Sequence, residues 1–170
     1  MKKVKKKENK NTLAIEYSGN VTVKVVRDNE AVKVINGHNS GTYRLFEYIT
    51  KCLAGLYESA YTPKYIQCFH ADSSDPDLQS LESLSGVVPV GTTTYDTTTN
   101  TSTAKLTFTI PGSLFPDNVT VNYFALYSYK EYENKTNPMA TYYLATGLSG
   151  IDKNSNIIVV WELAVGNAAN

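Results

Sequence analysis

The chain has 170 residues, enough for one domain with a real core, whereas two domains would both be small. Sixteen basic and sixteen acidic residues cancel, yet six of the lysines lie in the first ten residues with only Glu8 against them. The remainder therefore carries ten basic and fifteen acidic groups, a net of −5, and no apolar run in it is long enough to span a bilayer.

Residues 1–11 read as a flexible basic arm. Lys2, Lys3, Lys5, Lys6, Lys7 and Lys10 are suited to an acidic neighbour or to weak contact with nucleic acid. No aromatic residue interleaves them, so base stacking is not expected. The arm is not followed by the apolar core of a signal peptide, and the protein is expected to be made in a cytoplasm with no membrane partner. Residues 12–170 read as a single domain. Its thirteen tyrosines favour strands and contact surfaces.

Residues 12–17 and 21–27 predict a hairpin across Ser18-Gly19-Asn20, with Val21, Val23 and Val25 alternating against Thr22 and Lys24. A turn at residues 28–30 leads to a short strand over 31–35, which Asn36-Gly37 ends. An α-helix is predicted at about 41–55. Leu45, Ile49, Cys52, Leu53 and Leu56 share one face, Ser40 is placed to cap the start, and Gly55 to stop the end. Glu47 and Lys51 are four apart on its outer side.

A short strand over 65–69 follows, then an acidic stretch over 70–86 that reads as a surface loop, with Leu78, Leu81 and Leu84 spaced for a helical turn. Residues 87–95 and 103–110 predict two strands flanking a threonine-rich tip, a ribbon expected to protrude because it has little apolar surface of its own. Three more strands are predicted over 119–129, 139–145 and 157–165. Those around Phe124, Leu126, Val159 and Trp161 are apolar on both faces and so central.

Chemistry-bearing constellations are thin. His38 and His70 have no second ligand at metal spacing; His70 with Asp72, Asp75 and Asp77 forms an ordinary acidic loop rather than a known calcium motif. No nucleophile elbow or phosphate loop occurs, although the start of the helix could hold an anion. Cys52 and Cys68 read as two buried thiols, with a bridge between them left open. No enzymatic activity and no cofactor are expected.

The order of parts carries a resemblance. A strand ends in Asn36-Gly37, and a helix with Leu45, Ile49 and Leu53 closes at Gly55. A P-x-Y-I strand follows at 63–66. Then come Leu81-Glu82 in the acidic loop, a strand ending Ile110-Pro111, FALYS at 124–128, and VVWEL at 159–163 before Gly166-Asn167. Over about residues 21–167 the chain resembles small virion proteins encoded among the structural genes of tailed bacteriophages. That resemblance implies a multimeric assembly component of the tail, neck or head-tail region, located in the virion, with itself and other virion proteins as partners.

The expected architecture is a mainly antiparallel β-sandwich with one helix packed on it. Leu45, Ile49, Leu53, Leu56, Phe124, Leu126, Val159 and Trp161 are assigned to the core, and truncating Leu53 or Trp161 to Ala is expected to cost roughly 2–5 kcal/mol. The basic arm and the ribbon residues Tyr95, Thr97, Thr98, Thr99 and Thr101 are assigned to contacts with neighbouring subunits. A carbohydrate- or receptor-binding sandwich, and a capsid-attached head-fibre or decoration protein, are the other readings.

Overall fold

Alternation places Val21, Val23 and Val25 on one face of strand β1, Ile15–Arg27, and the rest of the fold is built outward from that face. The computed structural model describes residues 15–56, 58–98, 101–128, 135 and 137–167. After β1 come β2 (Glu30–His38), β3 (Ser40–Gly41), helix α1 (Tyr43–Leu53), β4 (Pro63–Phe69) and β5 (Val88–Pro89). They are followed by β6 (Thr92–Thr97), β7 (Thr101–Pro111), β8 (Val121–Ser128), β9 (Ala140–Leu148) and β10 (Ser155–Asn167). The strands form two antiparallel five-stranded sheets, β2-β1-β10-β7-β6 and β3-β9-β8-β4-β5. The fold is a mainly β, sandwich-like one with a single α-helix among the described residues.

Register turns the first sheet's inner face into rows. Val21, Trp161 and Leu106 lie side by side, then Val23, Val159 and Phe108, then Val25, Ile157 and Ile110. Against them pack Ile66, Cys68, Phe124, Leu126, Ala140 and Tyr142 of the second sheet. Burial of each large apolar side chain contributes about 1.5–3 kcal/mol, so this layer holds the sheets together.

β1 and β2 are joined by a tight turn in which Asp28 and Asn29 both have positive φ, 52° and 64°, the two-residue geometry that matches strand twist. The hairpin expected across residues 18–20 does not form: β1 runs straight through. Gly19 is present because a Cβ there would collide with the Tyr17 hydroxyl and the Asn39 carboxamide. Likewise Asn36-Gly37 does not end β2, since Gly37 makes room for the ring of Tyr142.

The chain crosses from one sheet to the other at Asn39. Its backbone N–H donates to the Gly19 carbonyl at 3.1 Å, its side-chain amide donates to the Glu162 carbonyl at 3.2 Å, and its carboxamide oxygen accepts from the Tyr17 hydroxyl. This buried polar residue links β1, β10 and the crossing point.

The helix stops where expected. The Leu56 N–H reaches back to the Lys51 carbonyl at 2.8 Å and the Gly55 N–H to that of Cys52 at 3.1 Å, with Gly55 at φ 73°. Its cap is Thr42 rather than Ser40, because Ser40 is spent in β3 opposite Thr141; the Thr42 hydroxyl accepts from the Arg44 N–H at 3.2 Å. Leu45 is buried, and Tyr48 and Ile49 pack against the core. Leu53 and Leu56 are not core residues: they are 72% and 64% exposed. At about 100° per residue, Leu53 lies nearly a quarter-turn from the stripe through Leu45, Tyr48, Ile49 and Cys52, and Leu56 follows the helix end.

Residues 70–86 form a third layer. Leu78 and Ala71 are buried against the second sheet's outer face with Phe69, Tyr123 and Tyr127, and Leu81 packs at the margin. Asn122 fastens this layer by donating to the Ala71 carbonyl and accepting from its N–H, both at 2.8 Å. Ser85 accepts from the Cys68 N–H at 3.1 Å, and the Leu84 N–H donates to the Cys68 carbonyl at 2.8 Å.

Candidate functional site

The first sheet overruns the second at one end, because β1 and β10 are 13 residues long and β7 is 11, whereas β4 and β8 are 7 and 8. Two further inner rows result. One holds Tyr95, Ala104, Leu163 and Gly19, and the other Thr97, Ser102, Val165 and Tyr17. Glycine, alanine and serine fill little of the space that Phe108 and Ile110 fill at the opposite end. A cleft of about 330 Å³ is left, roofed by Leu45, Tyr48 and Ile49 of α1 and walled by β4 and Val90.

Its polar groups are few. The Tyr17 hydroxyl is committed to Asn39, and burial pushes that phenol well above its ordinary pKa. The ring of Tyr17 meets Phe46 edge-on at 5.8 Å. Tyr95, 70% exposed, forms a lip, and hydrogen bonds with the side chains of Ser102 and Thr97 hold its phenol below the ordinary value. Lys64 is the one charged residue among the described lining. It stands at the bulge of β4 between Pro63, opposite Ser128, and Tyr65, opposite Tyr127, where the chain enters the cleft wall.

The threonine-rich ribbon, expected to protrude, is the edge of the first sheet. β7 pairs with β10 from Thr101 to Pro111, and β6 lies alongside it. Thr98 and Thr101 close the hairpin: the Thr98 N–H donates to the Thr101 carbonyl at 2.8 Å, and the Thr101 N–H donates to the Thr98 hydroxyl at 3.1 Å. Lys2, Lys3, Lys5, Lys6, Lys7, Lys10 and Thr99 lie outside the described residues. Of the residues assigned to contacts, the structure brings Tyr95 and Thr97 into the two rows of the cleft end.

The opposite edge of the same sheet is β2. It is nine residues long, has no further strand beside it among the described residues, and exposes Val32 by 57% and Val34 by 51%.

His38 and His70 lie apart from any cluster: among the described residues no three His, Cys, Asp or Glu side chains are placed to hold a metal. His70 Nδ1 lies 3.2 Å from the Thr120 carbonyl, and its Nε2 is 3.9 Å from Asp72. Both cysteines are free. Burial pushes the Cys68 thiol up to about 12, leaving it protonated and unreactive at neutral pH. No family model, curated protein or solved structure matches the chain.

The cleft was missed in the sequence, although two signals pointed to it. A lysine stands within the apolar strand that carries Ile66 and Cys68, and small residues stand at 102 and 104 where the strand's alternation calls for bulk.

Proposed function

We propose that this protein is a non-enzymatic structural component of a tailed-bacteriophage particle, working by assembly with copies of itself and with other particle proteins. The sequence resemblance supports the particle. The open strand β2 carries the assembly.

A strand of nine residues with a free side and two exposed valines is a template for a further strand. Because β6 is the other edge of the same sheet, a copy that adds through β2 leaves β6 free. Pairing of β2 with β2 gives a closed two-fold dimer, whereas pairing of β2 with β6 propagates into a ring or filament. Phe46, Leu53 and Leu56 add exposed apolar surface on the helix for a different neighbour.

Light scattering at rising protein concentration tests the reading. A defined multimer that Val32→Lys with Val34→Lys dissociates is expected. A chain that stays monomeric at every concentration overturns it.

A carbohydrate-binding reading draws on a separate groove of about 440 Å³ between the start of α1 and the acidic loop. There Tyr43 is 62% exposed, with the Arg44 guanidinium over its ring at 4.9 Å, and Asp75 and Asn137 line the same groove. Binding in a glycan screen that Tyr43→Ala abolishes would favour this reading over assembly alone.

A further inference from the structure

We infer that the cleft between α1 and the overrunning end of the first sheet binds a small amphipathic ligand, an unbranched apolar chain ending in a carboxylate. The volume of about 330 Å³ lies at the low end of ligand pockets, too small for a folded partner.

The floor is apolar for a structural reason. Leu163 and Val165 continue the sheet's inner face past the row of Leu106, and Ala104 leaves depth beside them. Leu45 and Ile49 face them from the helix. Such a surface gains most from an occupant without hydrogen-bonding groups along its length.

The tyrosines do not make the cleft a sugar site. The Tyr17 hydroxyl donates to Asn39, and that of Tyr95 is hydrogen-bonded with Ser102 and Thr97, so both hydroxyls already have partners within the protein.

Lys64 sets the head group. A lysine at a strand bulge beside an apolar wall runs its stem along that wall and puts its ammonium in water. Here Lys64 is the one charged residue lining an apolar cleft, with no acidic residue among the described lining. The complementary partner is an anion at the end of the chain that fills the cleft. This site does not depend on strand β2, so it stands or falls separately from assembly through that edge.

The test is titration of the full chain with decanoate below its micelle concentration, followed by calorimetry, beside decan-1-ol and decyltrimethylammonium. Saturable binding of one decanoate per chain is expected, with the alcohol weaker and the cation weakest. Lys64→Met should weaken decanoate by about ten- to a hundredfold and leave the alcohol unchanged. Ala104→Trp, which fills the floor, should remove binding of both, with circular dichroism checking that the variant folds. Absence of saturable decanoate binding to the unaltered protein overturns the proposal. Equal affinity for decanoate and the cation, or an unchanged Lys64→Met, overturns the assignment of the head group.

Discussion

On the outer face of the first sheet, Asn20, Glu162 and Lys105 stand side by side across three strands at the solvent surface, with Lys105 Nζ 2.8 Å from the Glu162 carboxylate. On the outer face of the second sheet, Phe69, Tyr123 and Tyr127 are buried. One sheet thus has a single dry face, and the other has two. The difference lies in β8, whose eight residues are all buried, and in the acidic loop that supplies the extra layer. A strand apolar on both faces requires a cover on each, and here the second cover is irregular chain rather than another sheet or helix.

The comparison is broken most directly at Tyr127, which is fully buried and donates from its hydroxyl to the Lys135 carbonyl at 3.2 Å. Tyr127→Ala should cost about 3–5 kcal/mol in denaturant unfolding, as an inner-layer truncation does. A cost below about 1 kcal/mol would show that the loop does not form a true third layer.

Alkaline pH should act next. In the folded protein the Cys68 thiol is raised from 9.0 to about 12, so the folded state keeps a proton that the unfolded chain gives up. Stability from this group is therefore full below pH 9 and falls as pH rises from 9 to 12. Burial raises Tyr17 and Tyr127 in the same direction. The denaturant midpoint should drop across this window, and Cys68→Ala should flatten the drop.

Smaller effects sharpen the contrast. Tyr127→Phe, which removes only the hydroxyl, should cost about 1 kcal/mol. On the exposed surfaces, Leu53→Ala should change stability by no more than about 0.5 kcal/mol. Lys105→Ala on the first sheet should leave the unfolding midpoint within the scatter of repeated curves, because exposed ion pairs contribute little.

Much of the fold was legible because it rests on short-range pattern. The valines of β1, the apolar runs of β8 and β10, and the Gly55 stop each follow from side-chain period or backbone freedom. What was misread depends on distant neighbours. Gly19 looked like a turn because its real reason, the Tyr17–Asn39 contact, joins residues 22 apart. Ser40 looked like a cap because nothing local reveals that it pairs with Thr141. Leu53 and Leu56 fitted the helical spacing, but a helix resting on the end of a sandwich buries a narrow stripe. The cleft left only a faint trace, the small residues at 102 and 104, for a related reason: it follows from a mismatch in strand length between sheets, which no single segment carries.

The pairing of Ile15 with Asn167 at one end of β1 and β10 also has a mechanical consequence. Force applied between these two residues pulls the antiparallel strands apart from their shared end. It loads the hydrogen bonds one pair at a time, like a zipper, rather than all together in shear. Tension between residues 15 and 167 would therefore peel the middle of the first sheet at low load, opening the cleft end first.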